Sequence, residues 1–440
     1  MGSGRFGPVS GPEPTFACLI LYRSFRTECK SRSRHSPAID NRRPPMTIDN
    51  NRPRQPSQTG LELSIVMPCL NESETLQLCI EKARQALLDH NIEGEIIIAD
   101  NGSTDGSQEI AGRLNVRLVK VEKKGYGNAL MGGIEAARGK YIVMGDADAS
   151  YDFSHIPRFL EKLRQGSDIV LGNRFQGGIA AAAMPPSHRY FGNPALSWTS
   201  RLFFNCPTGD IYCGLRGFSR EAVLKLDLRT TGMEFAVEMV VKATLMGLRI
   251  GEVPTTLSPD GRSRPPHLHT WRDGWRTMRF MLLYSPRWLF FYPGVFLILL
   301  GFAVDVWLFP GPRTIGSVTF DAHTFLYAAM AILVGFQAVC FGLFARTFAV
   351  TERLLPEDPL LSLFFRAFTL ETGLAVGFLL MAGGFAGSAY AVNAWRLQGF
   401  GPLDFSHTLR IVIPSATAIT LGLQAILSSF FVSILGLARR

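Results

Sequence analysis

Charge is scarce in this chain. Of 440 residues, 18% are Asp, Glu, Lys or Arg, against about 25% in an ordinary soluble protein. Hydrophobic residues make up 47%. Part of the chain is therefore expected in lipid, and collagen-like, wholly disordered and disulfide-scaffold classes are excluded. Cysteine is sparse and unpatterned: Cys18, Cys29, Cys69, Cys79, Cys206, Cys213 and Cys340 are odd in number and show no Cys-x-x-Cys spacing. This speaks for a reduced compartment and against a structural zinc site. A G-x-x-x-x-G-K-[ST] loop is missing. The turn Lys124-Gly-Tyr-Gly127-Asn-Ala-Leu130 lacks the third glycine of a dinucleotide fingerprint, so P-loop and NAD readings are disfavoured. Most of the chain also lacks a basic surplus. Of the net +9, residues 1–58 carry +6, with ten Lys/Arg against four Asp/Glu. No nucleic-acid surface is expected.

What is present falls into four parts. Residues 1–58 are rich in Arg, Ser and Pro and read as a disordered basic tail; the apolar patch Phe16 to Tyr22 is too short to span a membrane. Residues 59–265 alternate strand and helix patterns. Strands are predicted at Leu63–Met67 (closed by Pro68), Glu95–Ala99, Val116–Val121 and Tyr141–Met144. Helices are predicted at Glu74–His90, Asp105–Leu114 and Tyr126–Ala137. The alternation predicts an α/β domain with a mostly parallel sheet, whose ligands bind beyond the carboxyl ends of the strands. Residues 266–288 hold a basic stretch with Arg272, Arg276 and Arg279 on one helical face and Trp275, Met278 and Leu282 near another, the pattern of an interfacial helix. Residues 289–440 contain four apolar stretches of spanning length, Leu289–Phe309, Ala322–Ala345, Phe368–Val392 and Ile411–Leu437. Arg346, Arg353, Arg366, Arg439 and Arg440 bias the loops, so the positive-inside rule places both termini and the α/β domain in the cytoplasm of a multi-pass membrane protein.

The strand ends carry the chemistry. Asp146-Ala-Asp148 follows an apolar strand directly, and two carboxylates two apart can reach one hard cation. An EF-hand is excluded, because Tyr151 and Pro157 stand where Gly and Glu are needed. Asp100 also ends a strand and can bond a ribose or base edge, or else serve a turn. His155 reads as a turn residue. Glu234 and Glu238 lie four apart on a helix and read as surface or supporting groups, the alternative being that one contacts the sugar or acts as a base. The sequons Asn71-Glu-Ser73 and Asn101-Gly-Ser103 fall within the cytosolic site and are not expected to be used.

Pro68-Cys-Leu-Asn-Glu72, Asp100-Asn-Gly-Ser-Thr-Asp-Gly106, Lys124-Gly-Tyr-Gly127 and Asp146-Ala-Asp148 together resemble family 2 glycosyltransferases of the GT-A fold. Gly172-Asn-Arg174, Arg189 and Asp210 through Cys213-Gly-Leu-Arg216-Gly-Phe218 resemble the dolichyl- or polyprenyl-phosphate mannosyltransferase and glucosyltransferase branch. The likeness covers roughly residues 61–290, and four trailing membrane helices occur in that branch. Gly261-Arg-Ser-Arg264-Pro-Pro-His267 is similar to its acceptor loop. The resemblance implies transfer of one hexose, with inversion, from a nucleotide-diphosphate sugar of the GDP-mannose or UDP-glucose type to a polyprenyl or dolichyl phosphate. It implies that Pro68, Leu70, Glu72 and Asp100 line the nucleotide and that Asp146 and Asp148 hold Mg²⁺ or Mn²⁺ on the diphosphate. Arg174, Arg189 and Asn193 would meet the acceptor phosphate, and Arg264 would assist at the phosphates. Asp148, Arg174, Arg189 and Arg264 are thus the expected catalytic set. The sequence departs from the family at Ser150, where Gln is common, and at Asn193, where Ser is common. The competing readings are a processive polysaccharide synthase and a non-catalytic scaffold or lipid translocase. The first lacks its Gln-x-x-Arg-Trp motif, since Tyr284 stands before Arg287-Trp288. The second would be expected to have lost the strand-end acids.

Overall fold

The computed structural model describes residues 60–263, 270–352, 355 and 369–436. The tail expected over 1–58, Arg264, and the termini of the topology argument lie outside the described residues. A seven-stranded sheet runs in the order β3-β2-β1-β4-β6-β5-β7. Its strands are β1 (Leu63–Cys69), β2 (Gly94–Asp100), β3 (Arg117–Lys120), β4 (Tyr141–Met144), β5 (Ile169–Asn173), β6 (Arg216–Ser219) and β7 (Ile250–Pro254). All are parallel except β6, which lies antiparallel between β4 and β5.

Besides the short helices Arg174–Gly177 and Arg220–Lys225, the helices of this domain are α1 (Leu76–Asp89), α2 (Ser107–Arg113), α3 (Tyr126–Ala136), α4 (Ile156–Arg164), α5 (Asn193–Phe204) and α6 (Phe235–Leu245). They cover both faces of the sheet, as buried parallel strands require. Ile65, Met67 and Val143 pack on one side with Leu76, Ile80 and Phe159. Val66, Ile142 and Met144 pack on the other with Leu130, Ile134 and Val237. Successive side chains of a strand point to opposite faces, so one apolar run feeds both cores.

Pro68 does not close β1; the strand runs on to Cys69, and Pro68 pairs with Ala99. Val66 O accepts the amide of Gly145 on the β4 side, while Cys69 O accepts that of Asn101 on the β2 side. Pro68, two residues beyond Val66, therefore lacks its N–H only on the side where β4 has ended, and no ladder bond is lost.

After the sheet come α7 (Thr270–Tyr284) and four long apolar helices. The helices are α8 (Tyr292–Leu308, continuous with the turn from Arg287), α9 (Ala322–Thr351), α10 (Leu370–Leu397) and α11 (Phe405–Gly436). All four are long and apolar enough to cross a membrane. A Cβ on Gly335 would stand 2.5 Å from Gly294 O, and one on Gly422 the same distance from Gly377 O. The two hairpins, α8 with α9 and α10 with α11, thus pack backbone against backbone, the usual way membrane helices associate. Between α8 and α9 the chain forms a small exposed hairpin, β8 (Arg313–Ile315) with β9 (Val318–Phe320), which the sequence pattern did not reveal.

In α7 the expected division of faces is corrected. Trp275 lies on the exposed face with Arg272, Arg276 and Arg279, and Trp271 is 90% exposed. The buried face carries Asp273, Thr277, Phe280 and Met281. At 100° per residue, position 275 falls within 60° of 272, so tryptophans and arginines share one stripe.

Candidate active site

The carboxyl ends of β1, β2 and β4 open into one cleft of about 340 Å³. It is lined by Pro68, Leu70 and Glu72 from the β1 end, Asp146 and Asp148 from the β4 end, and Arg262 from the loop after β7. Parallel strands converge their ends in this way, and five of the predicted positions come together because they lie at or just beyond the ends of the adjacent strands β1 and β4.

Asp146 is held from the side. Tyr126, at the first position of α3, donates its hydroxyl to Asp146 Oδ1 at 2.8 Å. Burial, reinforced by the neighbouring Asp148 carboxylate, pushes Asp146 up to about 7. The Tyr126 turn is itself fixed. Gly125 has φ +128°, and a Cβ there would lie 2.3 Å from Thr231 O; one on Gly127 would lie 2.3 Å from Thr230 O. Gly127 N bonds Thr231 O. The Thr230 amide and hydroxyl are held by Glu238, which is fully buried and paired with Lys242 at 2.7 Å. Glu238 is thus no surface group. It anchors the loop on which the Tyr126 turn rests, while Glu234 is half-buried at the N-cap of α6.

Asp148 has both oxygens engaged. Oδ1 accepts from Ser150 N at 3.0 Å and Ser150 Oγ at 2.6 Å. Oδ2 accepts from Arg262 Nη2 at 2.9 Å. Ser150, the departure from the family pattern, thus supports Asp148 directly. Arg262 also reaches Glu72 Oε1 at 3.2 Å and Asp260 Oδ2 at 2.8 Å. Sequence reading singled out Arg264 in the same segment and missed Arg262, whose partners lie 114 and 190 residues away. The Gly261-Arg-Ser motif was the available signal.

Other predicted residues behave differently. Asp100 is 2% exposed and turned inward, accepting from Gly102 N, Ser103 N and Gln108 Nε2. It shapes the loop, while the adjacent Asn101 lines the cleft. Arg174 is buried and forms a two-point pair with Asp210 at 2.7 and 2.8 Å. The fork expected to meet a phosphate is thus engaged in this structure by a carboxylate that is 0% exposed. Arg189 is half-buried, with its guanidinium over the ring of Tyr190. Asn193, at the start of α5, donates to Met184 Sδ at 3.4 Å. His155 ends a short turn, as expected.

The α5 end of the domain adjoins the membrane helices. His188 Nε2 lies 2.9 Å from Thr270 Oγ1 of α7, and Phe203 stacks on Trp288 with ring centroids 5.2 Å apart. Tyr190, Phe191 and Trp198 of the same segment are exposed.

A mixed sheet with acids and a basic loop at its strand ends is thus followed by four helices long and apolar enough to cross a membrane. Residues 64–226 match Glycosyl transferase family 2, and residues 343–436 match the Glycosyltransferase family 2 C-terminal transmembrane region. The low-salt glycan biosynthesis hexosyltransferase Agl6 of Haloferax volcanii is 36% identical over 375 residues, covering 85% of this chain and 89% of that protein. Glycosyltransferase AglD of the same organism is 29% identical over 305 residues, 64% of this chain and 47% of AglD. Among solved structures, glucosyl-3-phosphoglycerate synthase from Mycobacterium tuberculosis, in complex with Mn²⁺, UDP and glucosyl-3-phosphoglycerate, is 21% identical with a TM-score of 0.40. That match covers 52% of this chain and 80% of the synthase. The chain belongs to glycosyltransferase family 2.

Proposed function

We propose that this enzyme transfers one hexose, with inversion, from a nucleotide-diphosphate sugar to a polyprenyl phosphate at the cytoplasmic membrane face. The observation that carries the reading is a donor-sized cleft, ringed by Asp146, Asp148 and Glu72, in a domain joined directly to spanning helices. The residues present fit a divalent cation: Asp146 and Asp148 offer hard oxygen donors, and the chain already rests a cation, the Arg262 guanidinium, on Asp148. Mg²⁺ or Mn²⁺ bound there supplies Lewis-acid stabilisation of the departing diphosphate. Tyr126 and Ser150 hold the two carboxylates in place. Pro68, Leu70 and Asn101 offer the wall for the nucleoside. A phosphate acceptor is anionic at neutral pH, so no dedicated base is needed, in contrast to a sugar-alcohol acceptor.

Arg189 is the acceptor-phosphate candidate, with Asn193 on the following turn. It precedes α5, whose far end stacks on the membrane-entering Trp288. Release of nucleotide diphosphate, measured over a panel of sugar nucleotides with and without polyprenyl phosphate, tests the function; stimulation by the lipid is expected. Arg189→Ala should cost about 1.5–3 kcal/mol of acceptor binding, a tenfold to hundredfold rise in the polyprenyl-phosphate KM with little change for the sugar nucleotide. Arg189→Lys should recover part of the loss, since it keeps the charge without the planar fork. An unchanged acceptor KM in Arg189→Ala removes Arg189 from the acceptor site.

Loop charge supports a cytoplasmic domain and C-terminus. A tag placed in the β8–β9 hairpin should then react with an impermeant label on intact cells, and one at residue 440 should not. Labelling of the C-terminal tag would reverse the assignment.

A further inference from the structure

Asp148 has no oxygen free of the chain's own donors. Ser150 holds Oδ1 through two hydrogen bonds, and Arg262 holds Oδ2. Arg262 is itself firmly seated. Gly261 N bonds Asp148 O and Ser258 N bonds Ser150 O, both at 2.9 Å. Ser263 N bonds Glu74 Oε2 at 2.7 Å on the other side. The Arg262 side chain is 11% exposed, and its guanidinium pairs with Asp148, Asp260 and Glu72. A cation approaching Asp148 Oδ2 meets a positive charge already in contact with that atom.

From this geometry we infer that Arg262 is a resident counter-cation that keeps the metal out of the free enzyme and yields its place only when a nucleotide diphosphate arrives. The inference rests on the metal role proposed for Asp146 and Asp148. Two like charges cannot share one carboxylate oxygen without strong repulsion, so metal and Arg262 compete for Asp148. A diphosphate resolves the competition in two ways. It supplies further oxygens to the metal, which ordinarily takes one or two carboxylates together with substrate phosphates. It also gives Arg262 a new anionic partner that matches its planar fork. Metal and donor should therefore bind synergistically, with Arg262 as the coupling residue. Coupling between two ligands is reciprocal, so the same factor strengthens nucleotide binding by metal. A positioning residue of this kind also prevents the half-buried acid pair from standing uncompensated between turnovers.

The test measures Mn²⁺ binding to the full-length protein in detergent by the EPR signal of free Mn²⁺, with and without UDP or GDP as the diphosphate probe. In the wild type, Mn²⁺ should bind weakly alone and about 5–150-fold more tightly with the matching nucleotide. Arg262→Gln should bind Mn²⁺ more tightly than the wild type without nucleotide and should lose most of the nucleotide enhancement. Arg262→Lys, which keeps the charge, should remain closer to the wild type and serves if the Gln variant fails to fold. An unaltered nucleotide-free Mn²⁺ affinity with full enhancement in Arg262→Gln overturns the inference. So does a Lys variant that behaves as Gln is expected to, because the charge is then not the cause. Asp148→Asn separates the two layers: if it binds Mn²⁺ with nucleotide as the wild type does, the metal role of Asp148 fails first.

Discussion

Asp148→Asn is expected to lower sugar transfer by about 10²–10³-fold or more, the loss typical of removing a group that stabilises charge on a leaving or attacking oxygen. The substitution keeps the size of the side chain and the acceptor oxygen toward Ser150. It removes the negative charge that faces Arg262 and that would bind the metal. Asp148 is half-buried at a strand end and outside both apolar cores, so the fold should persist. Transfer assayed at saturating Mn²⁺ and donor, beside a thermal melt, checks the expectation. Asp146→Asn should impair transfer strongly as well, since its Oδ1 is oriented by Tyr126. Full activity of the Asp148 variant in the presence of chelator would end the metal assignment.

Arg174→Ala should act on stability. Its partner Asp210 is 0% exposed, and removing one member of a buried pair leaves the other charged group without compensation. Such changes cost about 3–5 kcal/mol, a large part of the 5–15 kcal/mol by which a domain is ordinarily stable. The loss should appear as a lower melting temperature and as lower yield, and should affect donor and acceptor kinetics together. Arg189→Ala should leave the melting temperature nearly unchanged and act on the acceptor alone. Reversal of the pattern, with Arg174→Ala stable and impaired only toward polyprenyl phosphate, would restore the role first read from its sequence motif.

The contrast between these two arginines shows where sequence reading reached its limit. Both stand in segments that resemble family motifs, and residue type alone gives both the chemistry of a phosphate ligand. Whether a guanidinium is free to meet a ligand depends on what lies opposite. For Arg174 that is Asp210, 36 residues further along, brought beneath it by the fold. Asp100 shows the same limit: a strand-end carboxylate can face out to a ligand or in to its own loop amides. It faces in because the turn through Gly102 and Ser103 presents two amide donors to it.

The sequence by itself determined the α/β class, the four spanning stretches and the clustering of Glu72, Asp146 and Asp148. These follow from local physics. Apolar runs of strand or membrane length are legible from periodicity alone, and the ends of adjacent parallel strands must converge. Only the tertiary structure decided the partners of the charged residues. The reversed β6 lies between β4 and β5, and β7 pairs beyond β5. The loop after β7 is then fastened to the Asp148–Ser150 backbone, and Arg262 comes to rest on Asp148. No local pattern encodes that contact, because it joins residues 114 apart through strand pairings whose order depends on the whole sheet.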